Sequence, residues 1–361
     1  MKVIQIIPSF ALAGAERMCQ ALSNELYDAG HDIMVISLFS KKTSITEQLE
    51  EKGIKLLFLD QKGGSDFSVV RKLRKIFKRE KPDIIHTHLS AFQYAAVASL
   101  GYKTNIVYTV HNIAWMDTSN KQRKIKNFFI KRNKALLVAL SDRIAETVKE
   151  YYNIPIDKIP VARNGIDLTA CMPKKDYSYG DKIRIINIGR LNSQKNHLCL
   201  LDAFAIFIKK FPNAELTLVG DGEERETIEK YALELGISDK VVLTGVQNKV
   251  HGYLHDADMF VLSSKFEGFP MVIVEAMGTG LPIVSTNVGG ISDALVNEKN
   301  ALLTGVDSGE LADAMIRFAE SEELRERLGK AALCDSDKFS SRRMMEDYVD
   351  IYSKFVSKRN Y

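Results

Sequence analysis

The sequence predicts an α/β protein built from two doubly wound, Rossmann-like domains that face each other across a cleft. Three observations predict it. Short apolar runs alternate with helical patterns along the chain, as a parallel sheet flanked by helices requires. The alternation stops at a polar stretch and starts afresh near residue 183. A chain of 361 residues is long enough to close two separate cores.

The elements follow in order. Val3–Ile7 reads as a buried strand, 9–13 as a loop, and Gly14 opens a helix that runs to about Ala29, with Gly30 as its stop. Further strands are expected at Ile33–Ser37, Ile54–Leu59, Ile84–His86, Ile106–Thr109, Leu136–Ala139 and Ile159–Ala162. Helices are expected at Phe67–Glu80, Ala91–Leu100 and Arg143–Tyr152, the last with Ser141 placed to cap it. These form a first domain, 1–166. Residues 167–181, polar and carrying Pro173, Lys174, Lys175 and Gly180, read as a linker. A second domain, 182–340, holds strands Ile183–Ile188, Leu216–Val219, Val241–Leu243, Met259–Leu262 and Ile283–Ser285. Its helices are expected near Leu198–Phe211, Glu223–Leu235, Met271–Met277, Glu310–Glu320 and Glu323–Ala332. A closing helix, within 341–361, carries enough apolar residues to pack on something.

Composition removes several function classes. The apolar runs are far too short to span a bilayer, and the opening MKVIQIIPSF reads as a strand rather than a signal peptide. Cys19, Cys171, Cys199 and Cys334 are scattered, which fits a reducing cytoplasm and gives no metal-binding pair. The net charge of +4 divides into +10 over residues 1–180 and −6 over the remainder. A basic first half implies an anionic partner. No nucleic-acid-binding signature accompanies it, so nucleic acid is not expected. An anionic membrane surface fits better. The segment Lys121–Lys134, where basic residues bracket Ile125, Phe128, Phe129 and Ile130, is the expected contact, with peripheral association at the inner face of a membrane.

The chemistry concentrates in Lys265–Gly290. Glu267 follows a strand, and Glu275 lies one to two turns into the next helix. Between them Phe269, Pro270 and Met271 form the turn and the helix start, whose free N–H groups suit an anion. Arg190 and Lys195 stand between a strand end and a helix start, where cations oppose the helix dipole unless an anionic ligand compensates them. Gly14 belongs to a strand–loop–helix cradle that lacks the G-x-G-x-x-G fingerprint, which disfavours a dehydrogenase. His86, His88 and His111 all fall at strand ends. His86 and His88 share a strand face without an evident third ligand. Asp256 and Asp258 precede a strand, on the side away from the expected crevice, so no metal site is expected from either group.

Glu267 and Glu275, with seven residues between, resemble the E-x7-E signature of the retaining family-4 glycosyltransferases, which have the GT-B fold. The resemblance extends to the loop Ala13–Glu16, similar to G-G-x-E with Ala13 in place of the first glycine. It also covers GRLNSQKN at 189–196 and the turn Arg163–Asp167, similar to P-N-G-V-D with Arg163 for proline. It implies that Glu267 and His111 act at the transferred sugar and Glu275 holds the ribose. Arg190 and Lys195 would neutralise the leaving diphosphate, Gly14 would let backbone approach it, and the main chain near Val246 would meet the base. The closing helix would cross back onto the first domain. The implied reaction moves a sugar from a UDP- or GDP-sugar to an acceptor hydroxyl of a saccharide or lipid-linked saccharide. It proceeds on one face with no cofactor or metal required, in cell-surface polysaccharide or glycolipid assembly. A GT-B-type sugar-nucleotide epimerase and a catalytically silent nucleotide-sugar binding protein are the alternatives.

Overall fold

A computed structural model describes residues 1–10, 14–62, 66–247 and 249–358. In chain order the elements are β1 (Lys2–Ile7), α1 (Gly14–Asp28), β2 (Asp32–Ser37), α2 (Ser44–Glu51), β3 (Lys55–Phe58), α3 (Phe67–Glu80), β4 (Ile84–His88), α4 (Phe92–Ala98), β5 (Asn105–Val110), α5 (Ala114–Asp117), α6 (Asn120–Ile130), β6 (Ala135–Ala139) and α7 (Asp142–Tyr152). Then follow β7 (Ile183–Ile188), α8 (His197–Phe207), β8 (Ala214–Val219), α9 (Arg225–Glu234), β9 (Val241–Gly245), α10 (His251–Asp256), β10 (Met259–Leu262), α11 (Met271–Gly278), β11 (Ile283–Thr286), β12 (Leu302–Thr304), α12 (Ser308–Glu320), α13 (Glu322–Ser336) and α14 (Ser341–Ser357). The chain divides into two compact units, one of residues 1–166 with 340–361 and one of residues 167–339.

The first unit holds a parallel sheet in the order β3-β2-β1-β4-β5-β6. The strand order reverses between β1 and β4, which opens a crevice at their carboxyl ends. Nearly every residue of these central strands is buried, because helices cover both faces. On one face α1 packs with α14: Met18, Leu22 and Leu26 share a core with Met344, Tyr348 and Tyr352. The strand expected at Ile159–Ala162 reduces to a single bridge, Val161 to Ala139. Pro160 has no N–H to donate, and residues 162–165 belong to no strand. Just beyond them Ser341 N–H donates to the Ile166 carbonyl at 2.7 Å. A Cβ on Gly165 would lie 2.3 Å from the Ser340 carbonyl oxygen, so only glycine fits there.

The second unit repeats the plan with order β12-β11-β10-β7-β8-β9, all parallel, reversing between β7 and β10. Its core joins Leu200, Leu201, Phe204 and Phe207 of α8 to Leu311, Met315 and Phe318 of α12. The strand β12 is an addition to the sequence expectation. Part of the stretch expected as a polar linker packs inward, with Cys171 and Tyr177 buried. Tyr177 donates its hydroxyl to the Gly280 carbonyl at 2.9 Å.

Candidate functional site

The loops that leave β7 and β10 start at the reversal point of the second unit, and each delivers one charged side chain. After β10 the loop runs Ser263 to Pro270 and places Glu267, 5% exposed, at the carboxyl edge of the sheet. Lys195 arrives from the β7 loop, and its Nζ pairs with Glu267 Oε1 at 2.6 Å. Ser264 Oγ donates to the same oxygen at 2.5 Å. Gly189 lies under the Lys195 stem, where a Cβ would meet Cε at 3.2 Å. The Glu267 backbone is clamped as well. Gly290 N–H donates to its carbonyl at 3.0 Å. A Cβ on Gly289, which has φ +60°, would lie 1.7 Å from that carbonyl oxygen, and one on Gly290 would lie 1.8 Å from that of Gly268.

Beyond Glu267, Phe269 packs its ring against Phe339 at 5.3 Å between centroids, and Pro270 precedes the first turn of α11 without a side-chain cap. Met271 starts the helix half-buried, and its first turn carries no charged side chain. Glu275 is buried at 7% in the same helix. This combination of a partly buried cation and an uncapped helix start suits an anion.

The other sequence-predicted residues of this unit sit apart from that pair. Arg190 is exposed and forms an ion pair with Glu223 at 3.0 Å, so it does not join Lys195 in the pairing. Val246 is 66% exposed beyond β9. Asp258 accepts the Arg184 N–H at 2.8 Å and pairs with Lys174 at 3.5 Å, a structural role before β10. Among the described residues no group of three or more His, Cys, Asp or Glu could hold a metal ion.

In the first unit β4 and β5 bring the three expected histidines together. His88 Nδ1 and His111 Nε2 lie 3.0 Å apart, and His88 Nε2 donates to Gln5 Oε1 at 2.8 Å. His86, its ring centroid 4.3 Å from that of His88, bonds through its own nitrogens to Thr109 at 2.7 Å and the Tyr352 hydroxyl at 2.7 Å. Burial lowers the His86 ring to about 3 and the His111 ring to about 4; for His111, Asp117 opposes the shift and Lys126 adds to it. Both rings are therefore neutral at pH 7. Gly14 opens α1, and among the described residues nothing lies within 4 Å of where a Cβ on it would stand. Ala13 lies outside the described residues.

Sequence reasoning missed three contributors. Gln5 was signalled by an amide inside an apolar strand. Ser264 carried no signal beyond its nearness to Glu267. Lys126 is 1% exposed, 3.7 Å from Asp117, with its Nζ 3.4 Å from the centroid of the Tyr108 ring, and burial brings it down to about 8. Its neighbour on the same helix face, Phe129, is core. Of the paired phenylalanines expected at a membrane, only Phe128 is exposed, because residues one apart on a helix point about 100° apart.

Comparison with known proteins gives this arrangement relatives. Residues 172–333 match the family described as glycosyl transferases group 1, and residues 12–170 match glycosyltransferase family 4. The chain is 29% identical over 353 residues to the UDP-Gal:alpha-D-GlcNAc-diphosphoundecaprenol alpha-1,3-galactosyltransferase of Escherichia coli, spanning 89% of this chain and 88% of that one. It is 28% identical over 305 residues to the N-acetyl-alpha-D-glucosaminyl L-malate synthase of Bacillus anthracis, with 80% and 78% covered. In fold it is similar to HepE of Anabaena, solved in complex with UDP, at TM-score 0.83 and 20% identity over 98% of this chain and 100% of that chain.

Proposed function

Since this chain belongs to the family-4 glycosyltransferases and has their GT-B fold, we propose that it transfers a sugar from a nucleoside-diphosphate donor to an acceptor hydroxyl with retained anomeric configuration. The observation that carries the reading is the partly buried Lys195–Glu267 pair beside the uncapped start of α11, at the reversal point of the second sheet. In this reading a diphosphate takes the Lys195 ammonium and the first-turn N–H groups near Pro270 and Met271, and Arg190 leaves Glu223 to join it. Charge leaving with the diphosphate is then met by fixed cations and dipoles, without a metal. Released toward the sugar, Glu267 stabilises the positive ring as the glycosidic bond breaks and the acceptor enters on the same face. Glu275 accepts from the ribose hydroxyls, the main chain near Val246 meets the base, Phe269 belongs to the turn that leads to the diphosphate, Gly14 gives the diphosphate backbone access, and His111 meets the sugar.

The acceptor is proposed to be a saccharide or lipid-linked saccharide of a cell-surface polymer or glycolipid. In support, the E. coli relative's name specifies a diphosphoundecaprenol-linked acceptor. No described helix is long and apolar enough to cross a membrane. Exposed Lys121, Lys124, Lys131 and Arg132 beside exposed Phe128 support docking on an anionic membrane surface instead. The test is release of nucleotide from a panel of UDP- and GDP-sugars with candidate acceptors, with and without a chelator, and the anomer read by NMR. One donor turned over with retention and without metal is expected. Inversion, chelator sensitivity, or no binding of any sugar nucleotide overturns the corresponding part of the reading.

A further inference from the structure

We propose that Gln5 and His88 are positioning residues that fix the tautomer of His111. The ring then offers an unprotonated Nδ1 that accepts a hydrogen bond from a hydroxyl of the transferred sugar. The substrate half of this rests on the assignment of His111 to the sugar; the tautomer itself does not.

The direction of the chain of hydrogen bonds is set at its far end. The Cys19 carbonyl in α1 can only accept. Ser23 Oγ donates to it at 2.7 Å, and the Gln5 amide nitrogen lies 3.4 Å from it. With its proton so used, Ser23 Oγ accepts from Gln5 Nε2 at 2.9 Å. That turns the Gln5 carbonyl oxygen toward His88, whose Nε2 at 2.8 Å must carry the proton. A neutral His88 then has a lone pair at Nδ1, so the proton in the 3.0 Å contact belongs to His111 Nε2. His88 stays neutral because it is fully buried, with its ring well below the usual histidine value through burial first and its neighbours His86 and His111 second. A neutral His111 holding its one proton on Nε2 has none on Nδ1. Among the described residues Nδ1 makes no hydrogen bond within the chain.

The charged groups that face His111 do not disturb this order. Asp117 accepts the His111 backbone N–H at 3.3 Å, the Tyr108 hydroxyl donates to its other oxygen, and Lys126 lies 3.7 Å from it. Its charge raises the His111 ring, but burial outweighs it and Lys126 works against it, so the ring stays neutral. An acceptor at Nδ1 selects what it meets. A sugar hydroxyl donates to it, whereas a hexuronate carboxylate sets acceptor against acceptor.

The experiment reads the rings directly. Protein labelled with nitrogen-15 histidine is recorded at pH 7 without ligand by long-range proton–nitrogen correlation, with His88→Asn and His111→Asn as assignment controls. His88 and His111 are both expected as Nε2–H tautomers. In Gln5→Met, which keeps the volume and removes the acceptor, His88 moves its proton to Nδ1 and donates to His111, whose own proton moves to Nδ1. In that variant kcat/KM with the preferred sugar nucleotide falls about tenfold or more while UDP affinity is unchanged. An Nδ1–H or doubly protonated His111 in the unsubstituted protein overturns the proposal, as do unchanged tautomers in Gln5→Met. Should Gln5→Met fail to fold, the spectrum of the unsubstituted protein decides alone. If sugar nucleotides neither bind nor react, the transferase reading fails while the tautomer result stands; transfer by a protein whose His111 carries Nδ1–H sinks the relay alone.

Discussion

Replacing Lys195 by methionine separates the structural from the catalytic role of its pair with Glu267. Methionine keeps an unbranched stem over Gly189 and removes only the charge. The Lys195 side chain is 15% exposed and that of Glu267 6%, so the variant strands a carboxylate largely out of water. Losing one partner of a fully buried pair costs about 3–5 kcal/mol. Here Ser264 still donates to the same oxygen, which puts the expected cost nearer 2–3 kcal/mol. For a unit of this size that is a fall in melting temperature of about 4–12 °C. The nucleotide effect is separate: a charged hydrogen bond lost to the diphosphate weakens UDP by roughly ten- to a hundredfold. Thermal unfolding with increasing UDP measures both at once. The double variant Lys195→Met with Glu267→Gln removes the orphaned charge, so its stability should recover while its UDP affinity should not. If Lys195→Met melts like the parent and its midpoint rises equally with UDP, the reasoning about this pair is wrong.

The remaining predictions concern other parts of both units. Glu267→Ala is expected to reduce sugar transfer by at least about a hundredfold while keeping UDP binding within a few-fold, measured by nucleotide release and calorimetry. Gly289→Ala forces a Cβ against the Glu267 carbonyl at positive φ and should cost about 1–3 kcal/mol or more in urea unfolding, with turnover lost as Glu267 shifts. Stability should fall on acidification below the ordinary histidine range. His86, at about 3, and His111, at about 4, stay neutral in the folded chain while the unfolded chain takes up protons below about pH 6.5, so their contribution is intact above pH 6.5 and is lost on descending toward pH 4. Urea midpoints between pH 7.5 and 4.5 should decline monotonically, and a flat profile would contradict this. On anionic vesicles, Lys121→Glu with Lys124→Glu should weaken binding by about 1 kcal/mol or more per charge, whereas the buried Lys126 contributes nothing to lipid contact.

Most of the fold was legible because helices cover both faces of each sheet. A doubly covered parallel strand is apolar throughout, which makes β1, β7 and β10 visible as runs, and amphipathic α3 shows its stripe at Val69, Leu73, Ile76 and Phe77. What escaped was short or depended on distant partners. The three residues of β12 are too few for a pattern, and Ile159–Ala162 has the composition of a strand but lacks the donor a ladder needs at Pro160. The candidate site was legible where spacing along the chain carries the geometry, as for Glu267 and Glu275. Its ion pair was not, because Lys195 and Glu267 meet only through the β7–β10 adjacency of the sheet. Lys126 looked like a surface cation, yet it lies one turn before Phe129 and Ile130 on a stripe that faces Asp117 and Tyr108.

The return of α14 to the first unit sets the order in which the molecule can be made. Met344, Tyr348, Ile351, Tyr352 and Phe355 are all buried, at about 1.5–3 kcal/mol each, for a sum on the order of 10 kcal/mol. That is comparable with the entire stability of an ordinary domain. During translation the amino-terminal half therefore leaves the ribosome with an open apolar trough over α1, and it must wait through the synthesis of more than a hundred and seventy further residues for its last helix. A premature stop near residue 340 is expected to leave the first unit open over α1 while the core of the second is complete.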